Sequence, residues 1–143
     1  MANTDEPNNQ TESLEIGGDS LAPRSIRDIV KDLSKPLAKR HLRTRKQGGK
    51  EITYIAWHDA VKYLDHFAPG WNYEVRRIDS IASKLILTIR LSIPCAEGIV
   101  YREATGQEDE ETTSFGDSSS NAESMALRRA CAKFGLGLSL YDK

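Results

Sequence analysis

Residues 84–93 alternate apolar and polar side chains more regularly than any other part of the chain. Successive side chains of a β-strand point to opposite faces, so this pattern predicts a strand with one buried face. Its apolar series is Leu85, Leu87, Ile89, Leu91 and Ile93. Shorter alternations predict strands at residues 71–76 and 98 to about 107, with turns at Asp79 and Ser80 and at residues 94–98. A sheet with one apolar face needs a second layer to cover that face.

The final helical stretch, residues 118–138, is predicted to supply that cover. Ser120 followed by Glu123 forms a capping-box pattern at its start, and Gly135 and Gly137 can end it in the left-handed conformation. An apolar stripe at i, i+3, i+4 and i+7 consists of Leu127, Ala130, Cys131 and Phe134, and the opposite side carries Arg128, Arg129 and Lys133. Three cations without an acid suit a polyanion, although a solvated face is the ordinary alternative.

Two earlier segments are also predicted to be helical. Ser25 caps a short helix that ends before Pro36, and a second helix runs from about Tyr54 to Phe67. The predicted fold class is therefore α+β: a three-stranded antiparallel β-meander with helices packed on one face, in the order α-α-β-β-β-α. Residues 23–143 form one domain, and residues 1–22 are predicted to be a disordered acidic tail.

Charge is separated along the chain although the net charge is only −1. Residues 1–20 hold five acids and no base, residues 24–50 hold ten Lys and Arg against two Asp, and residues 103–123 hold seven acids and no base. Such separation lets one surface bind nucleic acid. The basic connection of residues 35–50, with a turn at Gly48 and Gly49, is interpreted as a phosphate-binding lip or as a solvated loop. Its candidate phosphate contacts are Arg43, Arg45, Lys46 and Lys50.

The sequence carries no convincing catalytic motif, so the protein is predicted not to be an enzyme and to need no cofactor. His41, His58 and His66 lack metal-ligand spacing with either cysteine, and no Walker-type glycine loop occurs. The contiguous acids of residues 108–111 leave a Mg²⁺-dependent nuclease as the enzymatic alternative. Cys95 and Cys131 could form a disulfide, but a reduced intracellular setting is the favoured interpretation. No apolar run is long enough for a membrane span and the N-terminus lacks a signal, so a cytoplasmic location is predicted.

Two segments resemble the Rad52 superfamily of single-strand annealing proteins, which has DdrA-like proteins and phage recombinases among its relatives. Residues 126–137, Ala-Leu-Arg-Arg-Ala-Cys-Ala-Lys-Phe-Gly-Leu-Gly, resemble its signature helix, and residues 54–58, Tyr-Ile-Ala-Trp-His, resemble its Tyr-Ile-x-x-His stretch. The likeness covers roughly residues 26 to 142. Asp59 stands where eukaryotic members have Arg, and Ala132 stands where they have a further cation.

The resemblance implies ATP-independent binding and annealing of single-stranded DNA in recombination or repair. It implies that Arg128 and Arg129 contact the DNA backbone. Lys133 and the four basic residues of the lip are predicted from their charge as lesser phosphate contacts. The resemblance also implies a homo-oligomeric ring, and a single-strand binding protein or a recombinase as a partner. The alternatives are a double-stranded-RNA-binding module, which shares the α-β-β-β-α order, and an oligomerisation module that binds no nucleic acid. Against the RNA module, its lysines at the start of the last helix are here Asn121, Ala122 and Glu123.

Overall fold

The computed structural model describes residues 23–110 and 118–142. The predicted acidic tail lies outside the described residues, as does the acidic loop between Glu110 and Ser118. The described helices and strands follow one another as α1 (Ile26–Leu33), β1 (Leu42–Gln47), β2 (Lys50–Ile55), α2 (Trp57–Phe67), β3 (Asn72–Ile81), β4 (Lys84–Cys95), β5 (Gly98–Asp109) and α3 (Ser118–Lys133). Short 3₁₀ turns occupy Lys39–His41 and Leu138–Tyr141. None of the described helices is long and apolar enough to span a membrane.

The predicted α+β meander is confirmed. Strands β3, β4 and β5 form an antiparallel sheet in that order, and α3 packs on β4 and β5. The alternation of residues 84–93 has its predicted consequence, because Leu87, Ile89, Leu91 and Ile93 are all buried. Phe134 and Cys131 of the α3 stripe are fully buried against them, together with Leu33 of α1 and Leu64 of α2. One core therefore joins all three helices to one face of the sheet.

The predicted ends of α1 and α3 are partly confirmed. Ser25 Oγ accepts a hydrogen bond from the Asp28 backbone N–H at 3.1 Å, as expected for a cap of α1. Gly135 and Gly137, which follow α3, have φ values of 102° and 74°. The capping box is wrong in position, because α3 begins at Ser118 and Ser120 lies inside the helix.

A β-hairpin of β1 and β2 replaces the predicted basic connection. Gly48 and Gly49 form its two-residue turn with φ values of 60° and 79°, and Gln47 pairs with Lys50 across it. Tyr54 lies in β2, so α2 begins at Trp57 rather than near Tyr54. The strands escape prediction because residues 42–47, Leu-Arg-Thr-Arg-Lys-Gln, have no alternation of apolar and polar side chains.

The turn between β3 and β4 also differs from the prediction. It consists of Ala82 and Ser83, with φ values of 53° and 63°, and Ile81 pairs with Lys84. Asp79 and Ser80 lie within β3, which runs five residues beyond the predicted strand end at Arg76. Non-glycine residues rarely adopt positive φ, so neither residue type signals this turn in the sequence.

Candidate nucleic-acid interface

A groove of about 280 Å³ lies between the β1–β2 hairpin and the C-terminal half of α3. Three guanidinium groups line it, those of Arg45, Arg128 and Arg129. The remaining lining residues are aromatic, apolar or small, namely Ile52, Thr53, Tyr54, Ile55, Met125, Leu136, Gly137, Leu140 and Tyr141. Among the described residues that line this groove there is no carboxylate, so its electrostatic potential favours an anion.

The hairpin presents one face to the groove because paired residues of an antiparallel ladder project to the same side. Arg45 pairs with Ile52, and Arg43 pairs with Tyr54, so these four side chains share a face. Lys46 projects to the opposite face and pairs with Glu51. Arg43 donates through Nη1 to the carbonyl oxygens of Arg40 and Leu42, both at 3.1 Å. Of the four predicted hairpin cations, the structure places Arg45 in the groove.

Arg128 is the half-buried cation of the groove. Its Cζ atom lies 4.9 Å from the centroid of the Tyr54 ring, within the range of a cation–π contact. Burial lowers the pKa of the Arg128 guanidinium from its ordinary value, and the like charge of Arg45 lowers it further. An arginine remains protonated despite such a shift. Arg128 is therefore a desolvated positive charge that faces the groove.

Arg129 and Lys133 lie against the outer edge of β5. Arg129 Nη1 donates to the Thr105 carbonyl oxygen at 3.1 Å, and Lys133 Nζ donates to the Glu103 carbonyl oxygen at 2.6 Å. Consecutive helix residues are separated by about 100° around the axis, which explains why Arg128 and Arg129 face different neighbours. Arg129 still lines the groove and has further N–H donors, whereas Lys133 is not among the groove residues.

Two aromatic groove residues were missed from the sequence, Tyr54 and Tyr141. Tyr54 belongs to the Tyr-Ile-x-x-His stretch, and the sequence pattern predicts it near the start of a helix. Tyr141 lies in the last 3₁₀ turn, and its side chain is half exposed. Burial raises the pKa of Tyr141 above its ordinary value. The turn at Gly48 and Gly49 is the sequence signal that would place Tyr54 in a strand, because a two-residue turn predicts a strand on each side of it.

Asp59 lies away from the groove, in the first turn of α2, where it is only 5% exposed. Its Oδ1 atom is 4.0 Å from His41 Nε2, and its Oδ2 atom is 3.7 Å from His58 Nε2. A buried carboxylate at this position has a favourable place near the helix N-terminus. The departure from the family pattern at Asp59 therefore puts no acid into the groove.

No group of three or more His, Cys, Asp or Glu within the described ranges is arranged to hold a metal ion. Cys95 and Cys131 are buried free thiols, and burial raises the pKa of Cys131 to about 12.

Comparisons with known proteins agree with the resemblance of the two motifs. Residues 25–143 match the family described as "Rad52/22 family double-strand break repair protein". The chain is 37% identical over 122 residues to "DNA repair RAD52-like protein 1, mitochondrial" of Arabidopsis thaliana, a match that covers 84% of this chain and 69% of that protein. It is 33% identical over 128 residues to "DNA repair RAD52-like protein 2, chloroplastic" of the same plant, over 87% of this chain and 64% of that protein. The chain belongs to the Rad52/22 family of double-strand break repair proteins.

Proposed function

We propose that this protein binds single-stranded DNA in the groove between the hairpin and α3, and anneals complementary strands without ATP or a metal ion. The observation that carries this proposal is the set of three guanidinium groups that converge on one groove, with no carboxylate among its described lining residues. Neutralised phosphates supply most of the non-specific affinity for nucleic acid. Guanidinium groups suit phosphate oxygens because they donate several hydrogen bonds in a planar fork.

Annealing requires that the strand be held by its backbone while its bases stay accessible to a second strand. Arg45, Arg128 and Arg129 can bind phosphates without any contact to a base edge, so the bound strand carries no sequence restriction. Arg43, Lys46, Lys50 and Lys133 lie beyond the lining of the groove and are proposed as lesser contacts along the approaching strand.

We further propose that several copies assemble into a ring, so that the grooves of neighbouring copies form one continuous track. The support for self-association is the apolar face of β3, which α3 covers only in part. Tyr73, Val75 and Ile78 share the face of β4 that carries Leu91, Ile89 and Leu87, yet they are 36%, 43% and 62% exposed. Exposed apolar clusters of this kind mark association surfaces.

The test is an annealing assay with two complementary labelled oligonucleotides, no ATP and a chelator in the buffer. The protein should accelerate annealing above the spontaneous rate. The double substitution Arg128→Gln and Arg129→Gln should lose most of that acceleration. The matched control is Arg27→Gln with Lys31→Gln, which removes the same charge from exposed positions of α1. Equal annealing by the two double variants would refute the assignment of the groove.

Binding measurements separate the alternatives. Single-stranded DNA should bind more tightly than duplex DNA or double-stranded RNA, and affinity should fall steeply with salt. Preference for double-stranded RNA would favour the RNA-binding module, and cleavage that appears only with Mg²⁺ would favour the nuclease. A recombinase or a single-strand binding protein remains the proposed protein partner. The cytoplasmic location stays a prediction that imaging of the tagged chain can test, since the two plant relatives are named for organelles.

A further inference from the structure

The ring of Tyr54 contacts two guanidinium groups that belong to different parts of the fold. Arg128 Cζ of α3 lies 4.9 Å from the ring centroid, and Arg45 Cζ of β1 lies 5.9 Å from it. Both distances are within the range in which an aromatic ring attracts a cation. The cation of the hairpin and the cation of the helix thus both contact the ring of Tyr54.

The strand register explains why one ring can reach both cations. Tyr54 pairs directly with Arg43, so Arg45 lies two residues further along β1 on the same face of the hairpin. Diagonal neighbours of this kind are within reach of an aromatic side chain. Arg128 approaches the ring from α3, across the groove that all three residues line.

The two guanidinium groups carry like charges close to one ring, so they repel each other. The attraction of each cation to the ring offsets part of that repulsion. A phosphate that binds beside the ring would reduce the remaining repulsion between the two guanidinium groups. An anion bound at this place is attracted by both guanidinium groups.

We propose that Tyr54 is a positioning residue, which holds Arg45 and Arg128 together as one cationic unit facing the backbone of the bound strand. This inference rests on the proposed binding of single-stranded DNA in the groove. According to this proposal, the ring of Tyr54 holds the two guanidinium groups and does not stack on a base of the bound strand.

The test uses substitutions that change no charge. Tyr54→Leu removes the ring, whereas Tyr54→Phe keeps it. Affinity for an oligothymidine strand is measured at several salt concentrations, because the slope of log affinity against log salt counts phosphate contacts. Tyr54→Leu should flatten this slope by about one unit for each phosphate contact that is lost. Tyr54→Phe should retain the slope of the parent protein.

Tyr101→Leu is the matched control. The Arg90 guanidinium lies 4.0 Å from the Tyr101 ring centroid, so this substitution also removes an arginine–tyrosine contact. Tyr101 pairs with Ser92 on the face of the sheet away from the core, and it is not a groove residue. Its substitution should leave the salt slope unchanged.

A strand of the same length without bases distinguishes positioning from stacking. If Tyr54 positions the cations, Tyr54→Leu weakens binding to the abasic strand as much as to oligothymidine. A loss confined to oligothymidine, with an unchanged salt slope, would overturn the inference in favour of base stacking. Thermal unfolding of each variant identifies loss of fold, and Tyr54→Met is the second ring-free variant should the leucine variant unfold. If the parent protein shows no binding to single-stranded DNA, the proposed function fails, and this inference fails with it.

Discussion

Arg128 and Arg129 are adjacent in the sequence but occupy different environments. Arg128 is half-buried beside Tyr54, and Arg129 is exposed and donates to the carbonyl oxygen of Thr105. Both line the groove, but they contact different neighbours, because adjacent helix positions project in directions about 100° apart. The two arginines carry the same charge, so the difference between their contacts comes from the neighbours of each side chain.

Tyr73 and Glu123 provide a pH-dependent contact between β3 and α3. The Tyr73 hydroxyl donates to Glu123 Oε2 at 2.6 Å, and this hydrogen bond, together with burial, raises the pKa of Tyr73 from 10.0 to about 12. The folded protein thus retains a proton that the unfolded chain releases first. The stability that this contact contributes is present below pH 10 and is lost as the pH rises from about 10 to about 12.

Tyr73→Phe should lower the free energy of unfolding at pH 8 by about 0.5–1 kcal/mol, a small value because the pair is partly exposed. Urea unfolding of both proteins between pH 8 and pH 12 checks this prediction. The difference in unfolding free energy between parent and variant should shrink above pH 10. A difference that stays constant up to pH 12 would contradict the assignment of the bond.

Phe134 is fully buried, and the Arg102 guanidinium lies 4.9 Å from its ring centroid. Phe134→Ala should lower the free energy of unfolding by about 3–5 kcal/mol, because it leaves a cavity beneath the sheet. Chemical denaturation measures this loss. The double glutamine variant of Arg128 and Arg129 is the contrasting case, and it should stay folded while binding is lost.

Helix α3 closes one edge of the sheet by contacts along β5. Met125 Sδ accepts a hydrogen bond from the Gln107 backbone N–H at 3.4 Å. Arg129 and Lys133 donate hydrogen bonds to carbonyl oxygens further along β5. Met125, Arg129 and Lys133 are spaced by four residues, and they meet alternate residues of the strand. A covered edge cannot template the addition of another strand.

Gly106 of β5 lies in close contact with the backbone of α3. A Cβ atom at this position would lie 2.6 Å from the backbone nitrogen of Ala126 and nearer still to the carbonyl oxygen of Ala122. Both obstacles are backbone atoms, so α3 would have to move away from the sheet.

Gly106→Ala should therefore destabilise the protein by about 1–3 kcal/mol or more, by overpacking. Thermal or urea unfolding measures the change. Thr105→Ala is the control on the exposed neighbouring residue, and it should change stability by less than about 0.5 kcal/mol. Equal stability of the alanine variant at Gly106 and the parent would show that α3 does not pack this closely.

The sheet as a whole has two unlike edges. Strand β5 is covered by α3, whereas β3 pairs only with β4 among the described strands and exposes apolar side chains on its core-side face. This asymmetry gives the fold one surface at which a second copy can bury apolar area, as the proposed ring requires.

Ile78→Lys should disrupt assembly, because it places a charge in the apolar face of β3. Light scattering over a range of protein concentrations measures the mass of the parent and the variant. The control is Ile99→Lys, since Ile99 is 71% exposed but lies on the opposite face of the sheet. A parent protein that is monomeric at every concentration would remove the ring from the proposal.

Features that depend on neighbouring residues could be predicted from the sequence. The alternation of residues 84–93, the apolar stripe of α3 and the cap at Ser25 report local periodicity and local hydrogen bonding. Each of them lies in the structure as expected. The family motifs also depend on runs of adjacent residues, so they identified the candidate helix without knowledge of the fold.

Features that depend on distant partners were not encoded in any local pattern. Strand β1 is polar from Arg43 to Gln47, and its pairing with β2 stabilises it as a strand. The groove joins Arg45, Tyr54 and Arg128 from three elements, and Asp59 is buried next to His41 from another segment of the chain. Local periodicity reveals which face of an element is buried, but not which element buries it. For that reason the helices, the three-stranded sheet and the signature motif could be predicted from the amino-acid sequence. The shape of the groove and the different environments of Arg128 and Arg129 depend on contacts between distant segments, so only the tertiary structure determines them.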